Sequence, residues 1–322
     1  MATKSKSRRK PPSKRPIQAP KKKVEARRGP RWLWPLVTGL LIAGIAAGAF
    51  LLAKDQAHSG GEGPAVATGG LPNTPDYHSL LVEPSNPEHV LLGTHAGLYE
   101  STDGGRDWER VALEGQDAMN LARSEGKTVW TAGHNVFARS TDGGATWTDL
   151  RPEGLPSLDI HGFAVDPNDS QTLYAAVAGE GLYRSTDGAR RFELLSSEVG
   201  GQVFGLAVLE GGSILAGDLG KGLLRSDDGG KNWDVTEAFG AAGLAVKPDD
   251  PETVLAAGQG GLLSGVLLSR DGGRTWDQVH TIEQGAGPVA WAPSEPDVGY
   301  AVGFDRTLYR TDDGGQSWQP VV

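Results

Sequence analysis

The chain has 322 residues, 31 Lys or Arg against 40 Asp or Glu, a formal net charge of −9 and no cysteine, so disulfides, thiolate metal sites and a cysteine nucleophile are excluded. The charge is unevenly spread: residues 1–31 hold thirteen Lys or Arg against the single acid Glu25, whereas the chain beyond Lys54 holds 17 basic against 39 acidic residues. Such an acidic outer part argues against nucleic acid as its ligand.

Residues 1–31 are basic and Pro-containing with almost no large apolar side chains, and are expected to form a disordered cytoplasmic tail. WLWPLVTGLLIAGIAAGAFLLA, residues 32–53, carries no charge. At about 1.5 Å per residue it reaches about 33 Å, which predicts one transmembrane helix with Trp32 and Trp34 in the interfacial belt. The basic flank then leaves the N-terminus inside, in a single-pass arrangement. Everything after Lys54 is expected on the periplasmic or extracellular side of the cytoplasmic membrane. Ala47-Gly48-Ala49 offers the alternative of a cleaved signal peptide. Residues 54–75, rich in Gly, Ala and Pro, read as a flexible linker.

From residue 76 to 322 one unit recurs. STDGGRDW (101–108), STDGGATW (140–147), STDGARRF (185–192), SDDGGKNW (226–233), SRDGGRTW (269–276) and TDDGGQSW (311–318) end on aromatics spaced 39 to 45 residues apart, the length of a four-stranded propeller blade. Short alternating strands flank each copy, GLYES before and WERV after the first, and two further apolar stretches lie upstream. The expected fold is all-β: a six-bladed propeller of four-stranded blades, with strands A to D in each, preceded by the transmembrane helix.

The residue types in the phrase suit a structural corner. The carboxylates of Asp103, Asp142, Asp187, Asp228, Asp271 and Asp313 can accept backbone N–H bonds in their own turns, and the glycines tolerate positive φ. Trp108, Trp147, Phe192, Trp233, Trp276 and Trp318 are expected to plug the gaps between blades. The third copy has Ala189 in place of the second Gly and Phe192 in place of Trp, which predicts a looser turn there.

S-x-D-x-G-x-x-W resembles the Asp-box, or BNR repeat, of sialidases, sortilin-type propellers and photosystem II assembly factors. THAGLYESTDGG (94–105) and DIHGFAVDPNDSQTLYAA (159–176) are similar to a bacterial membrane-anchored group often labelled glycosyl hydrolase. The resemblance implies that the boxes sit on the face opposite the ligand site. It also implies binding of a protein partner or a glycan more than catalysis. If there is an activity, it would be glycoside hydrolysis, but the arginine clamp and Tyr–Glu pair of a sialidase are not apparent.

The opposite face is built from B–C and D–A loops. The B–C loops present His95, His134, Glu180, Lys221, Gln259 and Asp305, differing from blade to blade as a binding surface does. The starts of strand A align Asp76, Asp117 and Asp159 in one column and His78, Met119 and His161 two places on, on the same side of a strand. The candidate binding residues are therefore His78, His95, His134, Asp159, His161, Glu180 and Asp305. No cofactor is expected, and the simplest role for the histidines is to cap strand ends by bonds to loop carbonyls. The alternative is a Zn or Cu site drawn from His78, His95, His134 and His161, which fails if all the distances among them exceed about 8 Å.

Overall fold

The structure, a computed structural model, describes residues 70–322. These belong to the second of two compact units, residues 60–322. The tail 1–31, the expected span 32–53 and most of the linker lie outside the described residues. Among the described residues no helix is long and apolar enough to cross a membrane.

Alternating apolar and polar residues fold each repeat into one four-stranded antiparallel sheet. In the first blade β1 (Ser79–Glu83), β2 (Asn86–Thr94), β3 (Gly97–Ser101) and β4 (Glu109–Ala112) pair in sequence order. Five more sheets repeat that order over residues 120–149, 160–196, 203–237, 240–281 and 286–320. The inner strands of all six blades line one central channel, through Ser79, Asn120, Phe163, Gly205, Leu244 and Val289. Six complete blades thus close the ring without sharing a strand. At the seam the Tyr300 hydroxyl donates to the Pro87 carbonyl at 3.1 Å, and Arg310 pairs with Glu88.

The core lies between blades, and each box aromatic clusters with the blade before its own. Trp108 joins Val298, Tyr300 and Leu308 of the last blade. Phe192 joins Trp130 and Phe137 of the second, and Trp318 joins Leu255 and Leu268 of the fifth. Burying about 200 Å² of aromatic surface stabilises such a contact by roughly 4–5 kcal/mol before entropy is counted.

The repeated turn is held as its residue types suggest. Asp103 Oδ1 accepts the Arg106 and Asp107 N–H groups at 3.0 Å each and the Ser101 hydroxyl at 2.8 Å, while Gly105 N–H donates back to Ser101 Oγ at 2.8 Å. Gly104 and Gly105 take φ of 76° and 93°, and the Trp108 indole N–H donates to the Gly105 carbonyl at 2.9 Å. These bonds hold the box acids in their charged form. The Thr146 hydroxyl and N–H bring Asp142 down to about 2, and those of Ser317 do the same to Asp313. The third copy is not looser. Ala189 adopts φ 65°, its N–H still reaches Ser185 Oγ at 3.0 Å, and Phe192 is fully buried. Backbone strain at Ala189 replaces the freedom of Gly, and the bonding survives.

Residues 70–75, which composition assigns to the tether, are fastened to the propeller. Gly70 N–H donates to the Arg106 carbonyl at 3.0 Å, the Tyr77 hydroxyl donates to Pro72, and Leu71 packs against the core of the first and last blades.

Candidate functional site: a histidine–aspartate arc on the loop face

On the face away from the boxes, each D–A segment lies beside the B–C turn of the blade before it. Ala118 N–H donates to the Thr94 carbonyl and Asn135 N–H to the Leu158 carbonyl, both at 3.0 Å, while His134 forms an isolated bridge with Asp159. This interleaving sets the acids among the histidines. Asp76, Asp117 and Asp159 come from the segments entering blades one to three, His95 and His134 from the B–C turns of blades one and two, and His78 and His161 from the start of strand A.

The seven side chains form a continuous arc of three triads: Asp76, His78 and His95; then His95, Asp117 and His134; then His134, Asp159 and His161. In each triad the ligating atoms lie within 4.8 Å of one another. In the first, His78 Nε2 is 2.7 Å from His95 Nδ1 and 3.2 Å from Asp76 Oδ1, and His95 Nδ1 bonds to the same oxygen. In the middle triad, Asp117 Oδ2 lies 3.1 Å from His95 Nε2 and also bonds to His134 Nδ1. In the third, His134 Nε2, His161 Nε2 and Asp159 Oδ1 form a near-equilateral triangle of 3.1, 3.3 and 3.3 Å. A tetrahedral ion with bonds of about 2.0 Å sets its ligands about 3.3 Å apart.

The rings pack as well as bond. His78 and His95 meet edge to face at 4.3 Å, His134 and His161 at 5.2 Å, and His95 stacks on His134 at 5.8 Å. Asp117 is 8% exposed at the floor, while His95 and His134 are 38% and 42% exposed above it. Hydrogen bonds donated to Asp117 and then Asp76 outweigh burial and push the His95 imidazole up to about 10. For Asp76 and Asp117 burial acts to raise the pKa. The imidazoles prevail, His78 and His95 on Asp76 and His95 and His134 on Asp117, and hold both carboxyls below the usual range. Burial, opposed by Asp159, lowers His161. Asp159 Oδ1 is buried with no hydrogen-bond partner although it faces two imidazole nitrogens.

The four expected binding histidines and Asp159 therefore lie along one arc, with neighbouring rings 4.3 to 5.8 Å apart. The imidazoles meet carboxylates and one another, not the loop carbonyls that a strand-capping role calls for. Glu180 and Asp305 are not in the arc. Glu180 is exposed on its hairpin, and Asp305 is turned into its own, accepting the Thr307 N–H at 3.1 Å and the Tyr309 hydroxyl at 2.7 Å. Asp76 and Asp117, which lie outside the expected binding set, complete the arc, and the column they share with Asp159 is their signal in the sequence. The arc stops at blade four, where Gln202 and Phe204 occupy those columns and the Phe204 ring lies 4.7 Å from His161. Beyond it the B–C turns expose apolar side chains, Leu219, Leu262 and Phe304.

Comparison with known proteins agrees with the fold. The BNR/Asp-box repeat model matches residues 309–320, and the model described as photosynthesis system II assembly factor YCF48 matches residues 78–235. The chain is an Asp-box β-propeller. Among solved structures this propeller is similar to the GH74 xyloglucanase of Xanthomonas campestris, with TM-score 0.56, 18% identity, 81% of this chain and 46% of that one covered. It is similar also to a structure of YCF48 bound to D1 peptide, with TM-score 0.50, 18% identity and coverage of 79% and 82%. The GH74 enzyme of Niastella koreensis gives 0.52, 18%, 76% and 46%. The propeller thus spans about half the length of the two GH74 enzymes, and at these identities the likeness is one of fold. No curated protein matches the sequence.

Proposed function

We propose that this propeller is a non-catalytic metal-binding protein whose loop-face arc takes up a borderline divalent cation, Zn²⁺ or Cu²⁺. One observation carries the reading: His134, His161 and Asp159 present two imidazole nitrogens and a carboxylate oxygen at the corners of a 3.1–3.3 Å triangle. Imidazole and carboxylate donors without thiolate suit these two ions. Asp159 Oδ1 supports it, since it faces both imidazole nitrogens at once, as a third ligand atom would.

The test is equilibrium dialysis of the purified full-length chain against Zn²⁺ or Cu²⁺, followed by elemental analysis. Retained metal, reduced by His134→Ala and by Asp159→Ala, is the expected result. A chain that retains none, or whose two variants retain as much as the wild type, contradicts the reading.

A second reading, docking of a protein segment on the same face, is favoured by the exposed Leu219, Leu262 and Phe304 on the B–C turns of blades four to six. The YCF48 structure holds a peptide on a similar fold. The apolar half of the face would supply the contact area, and the arc would supply the charged edge. Charge-free residues 32–53 would hold the propeller at the outer surface of the cytoplasmic membrane. Carbonate extraction of membranes and protease protection of the intact cell test that placement.

A further inference from the structure

We infer that the arc holds two ions, one in each outer triad, and that Asp117 between them is not a ligand but the shared carboxylate that orients a ligating ring on either side. The inference rests on the metal-binding reading above and specifies how many ions bind and where.

The donors and acceptors of the two shared rings fix the pattern. His95 offers Nδ1 to the first triad and Nε2 to the middle one, while His134 offers Nδ1 to the middle and Nε2 to the third. A neutral imidazole has one lone-pair nitrogen and one N–H. An ion in the middle triad therefore takes both rings away from the outer triads, and the two patterns exclude each other. With the outer pair filled, each ion has two imidazoles and one carboxylate: His78, His95 and Asp76 on one side, His134, His161 and Asp159 on the other. The remaining N–H groups, on His95 Nε2 and His134 Nδ1, both point at Asp117 Oδ2.

Metal-bound histidines commonly donate their second N–H to a carboxylate, which fixes the ring and its tautomer. Here one buried carboxylate does so for two rings from two blades. With a single ion in the middle triad, Asp76 and Asp159 would have no cation, and His78 and His161 would be idle. Three ions would require both shared rings to lose their second proton. The outer pair uses all four imidazoles and all three carboxylates with every ring neutral.

The experiment is a zinc count on the full-length chain after saturation and removal of free ion, with affinity from competition against a chromogenic chelator. Two zinc ions per chain are expected. His78→Ala and His161→Ala should each remove one ion and leave the other, and the double variant should remove both. Asp117→Asn should keep two ions but weaken each by about 10–100-fold, the usual loss when such an outer partner is removed. The two histidine variants carry the test even where Asp117→Asn fails to fold. One ion that persists in the His78→Ala, His161→Ala double variant marks the middle triad and overturns the inference, as does a count of three. No zinc at all overturns it together with the metal reading, whereas one or three ions leave that reading standing.

Discussion

His134 Nε2 lies 3.3 Å from Asp159 Oδ1, and the other nitrogen of the same ring bonds to Asp117. One imidazole from a B–C turn thus joins carboxylates that enter two successive blades. Ordering of this ring is coupled to the packing of blades two and three, so an ion bound there acts on the stability of the propeller.

The first prediction follows from that coupling. A ligand that binds only the folded chain stabilises it by about 2.7 kcal/mol at a hundred times its dissociation constant. For a domain of this size that raises the melting temperature by about 5–10 °C. Zn²⁺ should therefore shift the melting curve of the wild-type chain, and the shift should shrink to a degree or two in the His78→Ala, His161→Ala double variant. Scanning calorimetry with and without zinc measures both.

The boxes should behave in the opposite way. Trp108 is 6% exposed in the cluster that joins the last blade to the first. Trp108→Ala should cost about 3–5 kcal/mol of stability by denaturant titration, while the metal bound per folded molecule stays the same. Loss of metal in proportion to loss of fold fits this account; loss of metal from a chain that remains folded does not.

A third prediction concerns Ala189, which holds φ 65° where five sister copies have Gly. Ala189→Gly relieves a left-handed strain of about 1–2 kcal/mol, partly offset by the greater freedom of Gly in the unfolded chain. The expected net gain is about 1 kcal/mol or less, a rise of roughly 2–4 °C in melting temperature. Unchanged or lowered stability would show that the third turn carries no such strain.

Acid should unfold the propeller through its corners. Asp142, Asp271 and Asp313 titrate near 2 in the folded chain against an ordinary value of 3.8. Groups lowered on folding contribute stability that is present above about pH 4 and is lost as pH falls toward 2. Melting temperature should thus fall across that window, and Asp271→Asn should make the fall shallower while lowering stability at neutral pH. A melting temperature that is flat from pH 4 to 2 contradicts this.

The blades were legible in the sequence because their signals are local: alternation of period two, an Asp-Gly-Gly corner and an aromatic at fixed spacing. The columns of Asp76, Asp117 and Asp159 and of His78 and His161 were legible for the same reason. Their convergence was not, because it depends on how one blade's entry segment lies beside the B–C turn of the blade before it, a register between units that no single repeat encodes. Glu180 shows the limit. The hairpins of His95 and His134 turn in two residues, Thr94 pairing with Gly97 and Gly133 with Val136, whereas Val177 pairs with Gly181. One inserted residue sets Glu180 in a longer turn, and alignment by type alone could not separate it from the two histidines.

The most direct test of the arc as the binding site is zinc K-edge X-ray absorption on the loaded chain. The account predicts a first shell of nitrogen and oxygen at about 2.0 Å, with outer-shell scattering from two imidazoles per ion and with loss of that signal in the His95→Ala, His134→Ala double variant. A shell of oxygen alone, as carboxylates of the acidic corners would give, or an unchanged spectrum in that variant, would contradict it.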